Sequence, residues 1–305
     1  MKKLIVKSIH FIVPAFCSHF LGALIILSLF IMPVQAQHYE AKSVAFNALI
    51  GGFSGGVGAI INKHPNQKWG NAFGKGFLIG SGGGLLMYGG KKLNYQVGDK
   101  ESAGYAWLSR AVFSAGNSIV ENAAANVDFW SQFHYDIGFV RLEFKTGPFN
   151  FTPRVMPLTL SGVIFLAANG KLNANESIRS GTLTFKTPQI SYAPQFMAST
   201  PTNGILHIDT LVGSSFYDVY GHELVHSFQF QQYSGVNYFF KPMSDKWKTK
   251  SPGYAKTSKW IYLDLNYPLF IANYYLINGG HKSSYCNNFL ENEAEILSVE
   301  CPACH

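Results

Sequence analysis

The stretch His222-Glu223-Leu224-Val225-His226 organises this chain. Residues four apart in an α-helix lie on one face, one turn from each other, so both imidazoles can reach a single cation. Glu223 stands beside the first histidine and can reach a water on that cation. The apolar side chains of Leu224, Val225 and Phe228 give the helix a buried side. The stretch therefore predicts a helix that carries two metal ligands and a neighbouring base.

A third ligand is expected elsewhere in the chain. Gln229 and Gln232 occupy the positions at which metzincins carry a glycine and a third histidine, so that class of site is excluded. The other common solution is a glutamate on a later helix. The segment 288–299 is the candidate, because it places three acids close together among apolar residues.

A helical wheel separates these three acids. At about 100° per residue, the apolar side chains of the segment centre near the direction of Glu293. Glu291 and Glu295 then point the opposite way, toward solvent. A buried carboxylate is costly unless it is paired or coordinates a metal. The wheel therefore predicts Glu293 as the third ligand, with Glu291 as the alternative.

These residues resemble a known class of enzymes. The His222–His226 stretch followed by Asn292-Glu293-Ala294 resembles the gluzincin class of zinc metallopeptidases, and Asn-Glu-Ala is similar to the ligand helix of thermolysin-type enzymes. The continuation to Gln229 resembles small bacterial gluzincin-like domains with the pattern H-E-x-x-H-x-x-Q. The resemblance covers two helices and leaves the rest of the chain unmatched.

The resemblance implies a function and a set of roles. His222, His226 and Glu293 would hold Zn²⁺, and Glu223 would be the general base that takes a proton from a metal-activated water. The substrate would be a peptide or a protein. The alternative is a non-enzymatic protein of the cell envelope that keeps a structural or vestigial zinc site.

The sequence departs from thermolysin-like enzymes in two places. The segment between His226 and Glu293 is long, which indicates a sizeable insertion. Leu297 stands where those enzymes carry an aspartate that supports a ligand histidine, so another residue must take that role. The insertion predicts a strand at 260–267 and, at 246–259, a basic loop that could cover the site. It also holds the candidates for an oxyanion donor, which are Tyr262, Tyr267, Tyr274, Tyr275, His281 and Tyr285.

The N-terminus predicts export. Three lysines precede an apolar run at 21–32, and Val34-Gln35-Ala36 fits a signal-peptide cleavage site before Gln37. An uncleaved anchor is the alternative. Cleavage would remove the three lysines and lower the net charge from +7 to +4. Three cysteines would remain in the exported chain, and one disulfide is expected among them: Cys286, Cys301 and Cys304.

Two glycine-rich runs, 45–62 and 70–90, predict a pair of helices. Their glycines and alanines recur every four residues, although each glycine costs a water-exposed helix about 1 kcal/mol. Small residues at this spacing let two helix backbones approach closely. The pair is either a hairpin buried inside a globular fold or a hairpin associated with a membrane through residues 45–90.

The remaining sequence predicts an α+β protein. Apolar residues at helical spacing indicate a third helix over 103–126. An antiparallel β region is predicted over about 130–210, with strands that include 158–166, 182–186 and 204–209. The expected division is a signal peptide at 1–36, a glycine-rich helical region at 37–128 and a zincin-like region at 129–305. No clustered lysines and arginines are present, which argues against nucleic acid as a partner.

Overall fold

The structure is a computed structural model that describes residues 39–147, 149–277 and 288–299. The predicted signal peptide and its predicted cleavage site lie outside these residues. The three cysteines Cys286, Cys301 and Cys304 also lie outside them, as do His281 and Tyr285. From Tyr39 onward the chain belongs to one compact unit. The glycine-rich helices and the histidine-bearing helix are therefore parts of the same unit.

Four helices form the N-terminal part of this unit. They are α1 (Tyr39–Ile61), α2 (Trp69–Lys92), the short α3 (Tyr95–Asp99) and α4 (Tyr105–Ala124). The first two form the hairpin, and both pack against α4. A Cβ atom on Gly51 would lie 2.3 Å from the carbonyl oxygen of Gly80, and one on Gly55 would lie 2.4 Å from that of Gly76. The regular spacing of glycine is thus explained by backbones in direct contact, as in closely packed helix pairs.

The hairpin also bears on the membrane question. Glu40–Ile61 is long and apolar enough to cross a membrane by length and composition, and 56% of its most apolar window is buried inside the protein. The core helix of a soluble protein passes the same test. Membrane association therefore stays a prediction.

Within the described residues, seven strands form two sheets. In the first, β1 (Gln132–Ile137), β2 (Val140–Thr146) and β3 (Phe149–Val155) pair antiparallel in sequence order. The second has the order β4-β5-β7-β6, with the bounds β4 (Lys171–Leu172), β5 (Leu183–Thr187), β6 (Ala198–Thr202) and β7 (Gly204–Ile208). Its β5–β7 pair is parallel and its other pairs are antiparallel. The α+β class with antiparallel pairing is confirmed, and one parallel pair was not predicted.

One predicted strand is wrong. Residues 158–166 lie inside helix α5 (Pro157–Asn169), which is followed by α6 (Ala174–Ser180). Proline at the first helical position favours a helix start. The carboxylate of Asp264 accepts from the backbone N–H groups of Leu158 and Thr159 at 3.0 and 2.6 Å, which satisfies two N-terminal donors. That cap comes from a distant residue, and a short apolar run cannot be assigned by periodicity alone.

The insertion after the histidine helix is more helical than predicted. The basic segment 246–259 is not a loop, because it contains the second half of α8 (Lys241–Lys250) and all of α9 (Pro252–Thr257). The predicted strand at 260–267 is reduced to a single bridge between Ile261 and Val155. The last two residues of the predicted strand belong instead to α10 (Asn266–Ala272). Pro268 lies in the first turn of this helix, where a backbone N–H would have no partner within the helix.

Helix α7 (Ser214–Gln231) carries the two histidines and is central to the unit. Every residue from Tyr220 to Gln231 is buried. Strand β6, helix α10 and the short helix α11 (Phe289–Ile296) pack against α7. A 3-10 helix (Ser234–Phe240) follows it, and a π-helical turn (Asn273–Ile277) follows α10. The site is therefore enclosed by elements from the second sheet, the insertion and the C-terminal segment.

Candidate metal centre

Three side chains converge on one point beside α7. The Nε2 atoms of His222 and His226 lie 3.0 Å apart. A carboxylate oxygen of Glu291, Oε2, lies 3.1 Å from Nε2 of His226 and 3.4 Å from Nε2 of His222. All three residues are buried, and their ligand atoms could hold one metal ion. The histidine pair thus meets a carboxylate from α11, 65 residues along the chain from His226.

The carboxylate at the histidines is that of Glu291, the alternative of the sequence analysis. The structure does not bring Glu293 to them. The Glu293 carboxylate is buried among four donors instead. Its Oε1 accepts from Ser43 and Asn47, both at 2.6 Å, and its Oε2 accepts from Lys91 and Gln229, both at 2.9 Å. A buried carboxylate needs compensation, and here a lysine and hydrogen-bond donors supply it.

The wheel argument failed because α11 has no solvent side. Its residues from Phe289 to Glu295 are all buried, and Glu291 is only 4% exposed. The prediction that Glu291 and Glu295 face solvent is therefore wrong. Leu297 is buried too and packs in an apolar cluster with Val225 and Ala294. A short helix surrounded on all sides places acids in different buried environments, and sequence periodicity cannot rank those environments.

Electrostatics couples the histidines to Glu291. Burial alone would lower the pKa of His226, but the adjacent Glu291 carboxylate outweighs it and raises that pKa to about 9. For Glu291 the directions are reversed. Burial alone would raise the pKa of its carboxyl group, but the neighbouring His226 and His222 hold that pKa well below its usual range. The carboxylate is therefore ionised at neutral pH and is ready to bind a cation.

Two contacts orient the acids of the site. The hydroxyl of Thr200, on β6, donates to Oε2 of Glu223 at 2.5 Å. The hydroxyl of Tyr274 donates to Oε1 of Glu291 at 2.5 Å, which leaves Oε2 facing the histidines. Tyr274 was one of six candidates in the sequence. Thr200 was not singled out, because no local pattern relates a residue on β6 to a helix that begins fourteen positions later.

The other predicted oxyanion donors take different places. Tyr262 is buried, and its hydroxyl donates to Oε1 of Glu121 at 3.0 Å. The hydroxyl of Tyr267 donates to the carbonyl oxygen of Pro201 at 2.9 Å. Tyr275 lines the cavity at the site. Among the described candidates, Tyr267, Tyr274 and Tyr275 line the cavity, and Tyr274 also bonds to an acid of the site.

A cavity of about 450 Å³ opens onto the three ligands and Glu223. Part of its wall is strand β6, from Ala198 to Pro201. Much of the remaining wall is aromatic and includes Phe165, Tyr192, Phe196, Phe230, Phe270 and Tyr274. Among the described lining residues, the acidic ones are Glu223 and Glu291, and none is lysine or arginine. The cavity is therefore apolar with a polar, negatively charged floor, as is common for small-molecule and substrate sites.

The three donor atoms could hold a metal ion, and the bond lengths of zinc give one test of their spacing. Zinc bonds to nitrogen and oxygen of about 2.0–2.1 Å in a tetrahedron place ligand atoms roughly 3.3 Å apart. The three observed separations run from 3.0 to 3.4 Å. Two imidazoles and one carboxylate also match the composition of catalytic zinc sites, which keep a fourth position open toward the substrate. The three residues also line the cavity.

The histidine helix and the glutamate helix pack against each other, and Glu291 lies at the histidines where Glu293 was expected. The resemblance rests on these two helices. Comparison with protein families, with curated proteins and with solved structures finds no match to this chain.

Proposed function

We propose that this protein is a zinc-dependent hydrolase, most simply a peptidase. One observation carries the proposal: His222, His226 and Glu291 converge at the floor of a cavity that also exposes Glu223. A purely structural site would not need a neighbouring carboxylate or an open cavity. The predicted signal peptide would place the activity outside the cytoplasm.

The residues divide the chemistry among them. Zinc held by His222, His226 and Glu291 would supply a Lewis acid and lower the pKa of a water toward neutrality. Glu223 lines the same cavity and would accept a proton from that water and return it to a leaving amine. Thr200 holds the Glu223 carboxylate by its hydrogen bond to Oε2. This hydrogen bond directs the base toward the cavity before any substrate binds.

The cavity wall supports a peptide as the substrate. Strand β6 lies at the end of the sheet order, so one of its sides has no partner among the described strands. An extended peptide can add to such an edge through main-chain hydrogen bonds. The edge is interrupted at Pro201, which lacks an N–H and whose carbonyl oxygen accepts from Tyr267. A bound peptide would therefore pair with the Ala198–Thr200 part of β6, beside Glu223.

The test separates metal binding from turnover. The full chain should bind about one zinc ion and cleave unstructured peptides. The Glu223→Gln variant should keep its zinc and lose activity by about 10² to 10⁴, the usual contribution of a general base. Metal analysis and a peptide-cleavage assay measure the two quantities. Wild-type protein that holds zinc but cleaves no peptide would point instead to the non-enzymatic alternative.

A second set of variants tests the ligands. His222→Ala and Glu291→Gln should each lose zinc. Glu295→Gln changes another buried acid on the same helix and should retain it. Equal zinc content in wild type and His222→Ala would show that the assignment of the site is incorrect.

A further inference from the structure

The side-chain amide of Gln229 has one permitted orientation. Its Nε2 atom lies 2.9 Å from the carbonyl oxygen of Leu290 and 2.9 Å from Oε2 of Glu293. Both of these partners only accept hydrogen bonds, so the NH₂ group of Gln229 must face them. Its Oε1 atom must then face Nδ1 of His226, which lies 2.8 Å away. A flipped amide would place an oxygen against two acceptors.

The orientation of Gln229 determines the tautomer of His226. An amide oxygen accepts and cannot donate, so Nδ1 of His226 carries the hydrogen. In the neutral imidazole, Nε2 is then the nitrogen with a free lone pair. That atom faces His222 and Glu291. The contact thus prepares His226 to bind a metal through Nε2, and it supplies the support that Leu297 cannot give.

Glu293 keeps Gln229 in place. Its carboxylate accepts from Ser43, Asn47 and the ammonium of Lys91, and a buried carboxylate needs such a paired charge. The side chains of Glu293 and Lys91 are both fully buried and form an ion pair at 2.9 Å. An ionised carboxylate accepts only, which is why it selects the NH₂ end of the glutamine.

The glycine-rich hairpin supplies the other partners of Glu293. Ser43 and Asn47 belong to α1, and Lys91 belongs to α2. The helices come close enough to share one carboxylate because glycines replace larger residues where they touch. A Cβ atom on Gly84 would lie 2.0 Å from the carbonyl oxygen of Asn47. The hairpin is therefore connected to His226 by an unbroken set of buried hydrogen bonds.

We propose that Gln229 is the positioning residue of the metal centre, held in a single orientation by Glu293 and, through it, by the hairpin. The proposal rests on the zinc site described above. Residues that hydrogen-bond to a metal ligand fix its tautomer and ring direction, and losing one typically weakens metal affinity about 10- to 100-fold. The hairpin would then serve the site, in addition to any role at a membrane.

The experiment measures zinc affinity of the full chain by competition with a chromogenic chelator. Gln229→Met keeps the side-chain length but removes the acceptor, and it should bind zinc about 10- to 100-fold more weakly. Gln231→Met is the matched control. Gln231 is also buried on α7, but its amide donates to Asn203 instead of contacting a histidine. The control should stay within about threefold of wild type.

A second variant and a second readout guard against a simple folding defect. The Glu293→Gln variant keeps Gln229 but presents both a donor and an acceptor to it. The side-chain amide of Gln229 is then no longer restricted to a single orientation. It should also weaken zinc binding. Nitrogen NMR of the metal-free protein at a pH above 9 should show the Nδ1–H tautomer of His226 in wild type and a mixture of tautomers in Glu293→Gln.

The outcomes are distinguishable. Zinc affinity of Gln229→Met within threefold of wild type, in a protein that loses zinc on His222→Ala, overturns the positioning role and leaves the metal site standing. A wild-type chain that binds no zinc overturns both. If Gln229→Met does not fold, an unchanged affinity and tautomer in Glu293→Gln overturn the positioning role by themselves.

Discussion

At the scale of single residues, two glutamates of one short helix have different partners. Glu291 faces two imidazoles, whereas Glu293 faces a lysine and three neutral donors. Both are buried and both carry a lowered pKa. The difference between a metal ligand and a supporting residue is therefore set by which neighbours surround each carboxylate. Burial alone, the basis of the sequence argument, does not distinguish them.

A third buried acid behaves differently and allows a test of pH dependence. Glu143, on β2, is 2% exposed and lies 3.2 Å from the guanidinium of Arg154. Burial raises its pKa above the ordinary value of 4.5, despite the opposing effect of Arg154 and Arg141. A group with a raised folded-state pKa stabilises the fold below its unfolded pKa, and this stabilisation is lost as the pH rises through the folded value.

Replacing this acid should therefore stabilise the protein at high pH. We expect Glu143→Gln to raise the free energy of unfolding on the order of 1 kcal/mol at pH 8, with a smaller gain at pH 5. Urea unfolding at both pH values measures it. The exposed Asp128→Asn variant changes net charge equally and should show no such pH-dependent gain. A gain that is the same at pH 5 and pH 8 would contradict the assigned shift.

At the scale of elements, the two faces of α2 use glycine for different reasons. Gly84 lies against α1, where an added Cβ would be 2.0 Å from the backbone of Asn47. Gly82 lies on the same helix, and an added Cβ there would meet nothing within 4 Å. The absence of a side chain is therefore required at Gly84 and is not required at Gly82. The two glycines thus form a matched pair for substitution.

Alanine at the two positions should have opposite effects on stability. Gly84→Ala forces the backbones of the hairpin apart and should lower the free energy of unfolding by about 1–3 kcal/mol or more. Gly82→Ala should raise it by about 0.5–1 kcal/mol, because alanine favours the helix and no contact is disturbed. Denaturant unfolding of both variants measures the difference. Equal effects would contradict the close approach of the two helices.

At the scale of the whole molecule, the hairpin is joined to the rest of the unit by polar contacts. Ser43, Asn47 and Lys91 all bond to Glu293 in the C-terminal helix. Moving α1 and α2 into a bilayer would break these contacts and leave a buried carboxylate without its lysine. Leaving one partner of a buried ion pair alone is strongly destabilising, by about 3–5 kcal/mol. The packed hairpin and an inserted hairpin are therefore alternatives.

These buried contacts predict how the chain behaves in cell fractions. A chain that begins at Gln37, after the predicted signal peptide, should be released from membranes by alkaline carbonate, because its hairpin is folded against α4 and α11. Immunoblots of the soluble and membrane fractions measure the release. The uncleaved chain, obtained by blocking the Ala36 cleavage site, is the control and should stay in the membrane fraction. Retention of the cleaved chain would favour insertion through residues 45–90.

The sequence by itself determined the elements whose signals are local. Helical spacing identified α1, α2, α4 and the histidine helix, and alternation identified strands of both sheets. The i, i+4 histidines with their adjacent glutamate also follow from spacing alone, because one helical turn places them together whatever surrounds the helix.

Only the tertiary structure decided features that depend on distant parts of the chain. A segment predicted as a strand forms helix α5, whose N-terminus is capped by Asp264. Asp264 lies more than 100 residues later in the chain. The choice between Glu291 and Glu293 likewise depended on Ser43 and Asn47, which are about 250 positions earlier in the chain. The physical reason is that periodicity gives the direction of a side chain from its own helix axis. Which groups the side chain contacts in that direction depends on how the whole chain packs.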